Sequence, residues 1–211
     1  MKRTAVTCVA LLLLAACSSS SKTESSAESK SVAKPAVKQA QYETGRAALQ
    51  KMYISARGWA GDAQLFRLQS QFAPDAPTSE GRTGLWRGSF ASPSKRLMKL
   101  FLWSGLVGED APEQGVTFSA EDSWSPGNSS TQVFDLGFLR VDSDKAYEVA
   151  QKHGGEKLTA KDPKQPVVFA LDWDTQKNEL VWHVIYGNSQ EESKLRVAVS
   201  ATSGEFLRVE K

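Results

Sequence analysis

Cysteine is scarce in this chain of 211 residues. There are two, Cys8 and Cys17, and both lie within the first seventeen positions. At most one internal disulfide is possible, and no cysteine-rich metal framework is. Histidine is equally sparse, with only His153 and His183. An excess of one charge is missing too. Lys and Arg number 26 and Asp and Glu 24, a formal +2, which excludes a strongly basic nucleic-acid binder. The longest apolar run, Ala5 to Ala16, falls short of the roughly 20 residues that a membrane-spanning helix needs. H-E-x-x-H, P-loop, G-x-S-x-G and dinucleotide glycine motifs are all absent, so no catalytic residue, cofactor or metal site is expected. What remains is 40% hydrophobic and 9% aromatic residues, enough to exclude a disordered or collagen-like chain.

The amino terminus has the shape of a secretory signal: Lys2 and Arg3, then a short apolar run centred on Leu11 to Leu14. That run ends Leu14-Ala15-Ala16-Cys17. The ending resembles the lipobox of bacterial lipoproteins, in which small residues fit the signal peptidase and the following Cys thiol carries a diacylglyceryl group. The resemblance implies a signal peptide over 1–16 and lipidation at Cys17. Each buried CH₂ contributes roughly 0.8 kcal/mol, so several acyl chains make a stable anchor. Cleavage would remove Cys8, Lys2 and Arg3 and commit Cys17 to lipid. The folded body would then hold no cysteine, and the processed chain would be formally neutral. Ser18 follows the Cys where an Asp would signal inner-membrane retention. By resemblance to Gram-negative lipoproteins, that places the protein in the cell envelope at the outer membrane, facing the periplasm, if the host is Gram-negative.

Residues 18–40 are rich in Ser, Lys and Ala and lack aromatics, Leu and Ile. Such a stretch cannot bury enough apolar surface to offset its chain entropy, so 17–40 reads as a lipidated Cys and flexible tether. Four Lys against two Glu give the tether +2 and leave the body, from residue 41, at −2. All six Trp lie in that body.

The body opens with a predicted helix over Tyr42 to Trp59. Leu49, Met52, Tyr53 and Ala56 share one stripe at i, i+3, i+4, i+7. Strands are expected over Ala63 to Phe72, Leu85 to Phe90, Leu97 to Trp103 and Gly115 to Phe118. Residues 119–132, with Pro126-Gly127-Asn128, read as an irregular connection. A short helix follows over Asp142 to Lys152, capped by Asp142 or Ser143 and stopped by Gly154-Gly155. Strands are then expected over Val167 to Trp173, Glu179 to Tyr186, Lys194 to Val199 and Glu205 to Val209, the last two turning at Thr202-Ser203-Gly204. Without βαβ alternation, a parallel doubly wound sheet is not expected.

The two halves share a plan. At an offset of 96, Leu85-Trp86 falls on Val181-Trp182, Phe90 on Tyr186, and Phe101 to Ser104 on Val197 to Ser200; the helices match at 94, Ala56 on Ala150. The fold class expected is α+β, with two tandem modules, 41–132 and 133–211. Each would be a helix packed on a curved antiparallel sheet. The second half carries Trp182-His183-Val184-Ile185-Tyr186, a gap, then Leu195-Arg196-Val197-Ala198-Val199-Ser200-Ala201-Thr202-Ser203-Gly204-Glu205. This resembles the PepSY domain over about 142–211, with Ser200 where that family usually has Asp. The resemblance implies a PepSY/cystatin-like fold and a non-catalytic binding or peptidase-modulating module.

Several residues merit separate weighing. His153 beside Gly154-Gly155 suits a helix C-terminus, where a cation complements the dipole. His183 alternates with hydrophobes, which groups Val181, His183 and Ile185 on one strand face and Trp182, Val184 and Tyr186 on the other. Arg87 occupies the corresponding place in the first half. The face of Val181, His183 and Ile185 is therefore the candidate interaction face. Asp172-Trp173-Asp174 reads as a hairpin end rather than a Ca²⁺ loop, and Gly81-Arg82-Thr83-Gly84 as a loop rather than an RNA clamp. Lys95, Arg96 and Lys99 read as a solvated strand edge. The functional expectation is an envelope lipoprotein, membrane-bound through its lipid, that binds a protein or peptide partner and no nucleic acid. The alternative is a carrier or sensor of a small-molecule or cell-wall ligand in a Trp-lined pocket.

Overall fold

A computed structural model of the chain describes residues 39–74 and 78–211. The lipobox, Cys17 and all but the last two residues of the expected tether lie outside the described residues. In chain order the elements are α1 (Gly45–Trp59), β1 (Gln64–Ser70), β2 (Leu85–Ser92), β3 (Leu97–Ser104), β4 (Gly115–Ser123), α2 (Ser143–Ala150), α3 (Glu156–Lys161), β5 (Val167–Asp174), β6 (Glu179–Gly187), β7 (Ser193–Ser200) and β8 (Phe206–Val209). All eight strands join one antiparallel sheet in the order β4-β3-β2-β1-β5-β6-β7-β8. The strands of each half therefore run outward from a central β1–β5 pair. Helices α1 and α2 pack on one face. Among the described residues, no helix is long and apolar enough to cross a membrane.

Alternation on the strands explains this layering. Trp86, Phe90, Phe101, Trp103, Phe169, Leu171, Trp182, Val184, Tyr186, Val197 and Val199 point to the helices and form one core with Ala48, Met52, Ala56, Ala146 and Ala150. Trp86 and Trp182 meet edge to face at 6.3 Å, and Phe169 packs against both. Each indole N–H donates to the carbonyl just before a helix N-cap: Trp86 to Glu43 (3.0 Å) and Trp182 to Val141 (2.9 Å). Gly45 is the close-packed point, since a Cβ there would lie 2.6 Å from the Trp182 ring. The helix starts also lock together. The Gly45 N–H donates to Ser143 Oγ (2.8 Å) and the Arg46 N–H to Asp142 Oδ1 (2.9 Å).

The strand correspondence at 96 recurs in the pairing. Trp86 faces Trp103 and Phe90 faces Lys99; in the second half Trp182 faces Val199 and Tyr186 faces Leu195. The helices differ from the expected offset of 94. The tryptophan-bonded carbonyls, Glu43 and Val141, are 98 apart, one helical turn further on. The largest boundary changes are in β4 and α1. Strand β4 continues to Ser123, although 119–123 carries no large hydrophobic residue; it forms an exposed edge where hydrophobic patterning is not required. Helix α1 begins at Gly45 rather than Tyr42, because Thr44 caps it. Gly154-Gly155 breaks the second helix as expected: His153 (φ −108°) and Gly154 (φ +113°) leave helical geometry. The helix then resumes as α3, which the sequence did not announce. His153 lies at this break and stacks flat on Phe206 at 3.7 Å.

Candidate functional site

The sheet face opposite the helices carries most of the paired charge. One cross-strand row runs Leu102, Arg87, Gln69, Ala170, His183, Ala198, Arg208, from β3 to β8. His183, on β6, is 15% exposed, with small Ala170 and Ala198 beside it. Asp172, two residues along β5, lies with its Oδ1 3.4 Å from His183 Nε2. Glu210, just past β8, brings Oε2 to 2.8 Å from Nδ1. Arg67 of β1 pairs with Asp172 at 3.2 Å. Arg208 reaches both Asp174 (3.2 Å) and Glu210 (2.9 Å).

Burial alone would push the His183 pKa down. The hydrogen bonds and charges of Asp172 and Glu210 outweigh it and raise the value to about 9. The carboxylates move the other way. Burial would raise Asp172 and Glu210, but His183, with Arg67 for Asp172 and Arg208 for Glu210, holds both below their usual range. At neutral pH the imidazole is thus a cation, with Nδ1 donating to Glu210 and Nε2 facing Asp172 as an ion pair. It has no lone pair free to accept a proton.

Two adjoining clefts open on this face. The larger, about 600 Å³, has Leu85, Val168, Ala170 and Ile185 among its lining residues. Arg67, Gln69, Gln71 and Arg87 also line it, with Asn188 to Glu191. The second, about 490 Å³, is lined by Arg67, Asp172, His183, Arg196, Arg208, Glu210 and Gln190. Arg67 and Gln190 belong to both. Nε of Arg67, of Arg87 and of Arg196 is buried without an acceptor. None of the five main clefts among the described residues has Trp in its wall. Trp86, Trp103, Trp124 and Trp182 are buried, while Trp59 and Trp173 pack against the core.

The structure places Val181, His183 and Ile185 on this one face, as the alternation predicts. Val181 and Ile185 are nonetheless buried; Ile185 lines the larger cleft, His183 the smaller, and Val181 neither. Asp174 accepts from the Gln176 and Lys177 N–H groups in its turn, as a hairpin end does, but also from Arg208. Gly81 lies against α2: its carbonyl accepts from Ser143 Oγ, and a Cβ would meet Asp144 backbone at 2.4 Å. Lys95 and Arg96 are exposed, and Lys95 and Lys99 also sit over the ring of Trp59. Sequence reasoning missed the charged set of Arg67, Asp172, Arg196, Arg208 and Glu210. Its faint signal is polar alternation, Lys194-x-Arg196 on β7 and Arg208-x-Glu210 running off the end of β8.

No family model matches the sequence, and no curated protein matches it. The fold is similar to that of a protein from Clostridium difficile 630, whose crystal structure describes a candidate lipoprotein. The two share 12% identity at a TM-score of 0.50, over 82% of this chain and 97% of that one. At that identity the likeness concerns the fold alone.

Proposed function

We propose that this chain is a non-catalytic envelope lipoprotein, anchored through Cys17, whose helix-free sheet face binds a protein or peptide partner. The carrying observation is the open face itself. An apolar floor with a polar, arginine-bearing rim crosses the middle of the sheet, where strands of both halves meet. Sites that fix a partner combine such a floor with a few placed polar groups. The lipobox pattern supports the anchor, and the fold likeness to a candidate lipoprotein agrees with it. The repeated register supports reading the body as two diverged PepSY-like modules joined edge to edge at β1 and β5. The engagement of both His183 nitrogens supports the non-catalytic reading.

A photo-crosslinking amino acid placed at Gln69 tests the binding face in the lipidated protein in its native envelope. Adducts of defined mass are expected from Gln69 and not from Lys157, which is exposed on α3. Equal labelling at both positions, or none at either, overturns the reading. The anchor has its own test. Cys17→Ser is expected to abolish acyl labelling and membrane retention.

A further inference from the structure

Resting on that reading, we propose that the partner presents an extended acidic segment, held across the strands by Arg87 at one end and Arg196 at the other. The fixed carboxylates of the face are already engaged: Asp172 by Arg67 and His183, Glu210 by His183 and Arg208, Asp174 by Arg208. Arg87 is left with a neutral partner, Gln69 Oε1 at 2.8 Å. Arg196 has no side-chain hydrogen bond or ion pair among the described residues, although the carboxylates of Glu191 and Glu210 feel its charge. Both arginines, with Arg67 between them, keep a buried Nε without an acceptor.

A buried donor left unpaired is costly, and a carboxylate is the group that matches the guanidinium edge with two parallel bonds. The smaller cleft sets Arg67, His183, Arg196 and Arg208 against only Asp172 and Glu210, an excess of positive charge. Glu191 on the rim of the larger cleft counts against an anion there. It is exposed and can turn toward solvent.

Spacing selects a polypeptide over a small anion. Arg87 lies on β2 and Arg196 on β7, four strands away through β1, β5 and β6. At about 4.8 Å per strand this is about 19 Å, more than one small anion can bridge. An extended chain rises about 3.3 Å per residue, so carboxylates about six residues apart reach both guanidinium groups. The two clefts share Arg67 and Gln190, which gives the segment a continuous path.

The test uses the full lipidated chain in detergent micelles and dye-labelled ten-residue peptides read by fluorescence anisotropy. One peptide carries Glu at positions 2 and 8 in a neutral background, and a second carries Gln at both. The acidic peptide is expected to bind at least tenfold tighter, and Arg87→Gln and Arg196→Gln each to weaken it about tenfold without affecting the Gln peptide. Arg87→Lys and Arg196→Lys keep the charge but lose the fork, and should fall between. They also serve if a Gln variant does not fold. Equal affinity for both peptides overturns the acidic-segment proposal and leaves the binding face standing. So does failure of both peptides alongside adducts at Gln69. Failure of both peptides and of crosslinking overturns the proposal and the binding face together. A preference for anionic over neutral vesicles that Arg87→Gln and Arg196→Gln abolish and the acidic peptide does not displace assigns the arginines to lipid headgroups and also overturns it.

Discussion

The two faces of the sheet are built from the same strands by opposite rules. Toward the helices, Trp86, Trp182 and Phe169 interlock and every large side chain has an apolar neighbour. Polar atoms on that side are few and paired, as with the two indole N–H groups. Away from the helices, the floor is equally buried at Val168, Ala170 and Ile185, yet the layer above it is charged and incompletely paired. One face is closed by packing and the other is left with unmet donors. That difference separates what holds the fold from what is free to recognise something.

The largest test of this contrast lies on the helix side. Trp182→Ala is expected to lose about 3–5 kcal/mol of unfolding free energy by urea titration, and Trp86→Ala a similar amount, because both fill the centre of one core. Equal tolerance of these and of open-face substitutions would dissolve the distinction.

Next comes the pH dependence of the open face. The folded His183 pKa, about 9, lies above its unfolded value near 6.5. Its contribution is therefore full below about pH 6.5 and is lost as pH rises through 9. The shift corresponds to a loss on the order of 3 kcal/mol. Measured between pH 6 and 10, wild type should lose this stability and His183→Gln should not. Asp172 and Glu210, with lowered values, act on the other limb, where their contribution is lost as pH falls through their folded pKa values.

A smaller effect is expected at Gly155, where a Cβ would lie 1.9 Å from the Tyr186 hydroxyl. Gly155→Ala should cost about 1–3 kcal/mol through overpacking, visible as a lowered thermal midpoint. The smallest belongs to Arg196. With no side-chain hydrogen bond or ion pair among the described residues to lose, Arg196→Gln should change stability by less than about 0.5 kcal/mol while still weakening the acidic peptide. A stability loss above 2 kcal/mol would make Arg196 a structural residue and blur the two faces.

Much of the helix side was legible in the sequence. The stripe of Leu49, Met52 and Ala56 and the alternation around Trp182 report burial directly, because burial imposes a period. The correspondence at 96 was readable for the same reason: the same strand pairs fill the same core. The exposed half of β4 was not, since an edge strand held mainly by backbone bonds leaves no hydrophobic pattern at Ser119 to Ser123. The resumption of helix as α3 was hidden because a glycine pair reads as a stop whether or not a helix follows.

The open-face charge network was the least legible part. Arg67, Asp172, His183, Arg208 and Glu210 come from β1, β5, β6, β8 and the chain end, and no local spacing links them. The sequence by itself determined the lipobox pattern, the polar amino-terminal stretch, the α+β class and which side of each strand is apolar, all of which follow from short-range composition and period. Only the tertiary structure decided that the strands merge into one sheet, that β1 and β5 meet at its centre, and that His183 lies between two carboxylates while Arg87 and Arg196 form no ion pair among the described residues. Those are facts of long-range register, and one residue of slip on a single strand would turn its charged side chains to the other face.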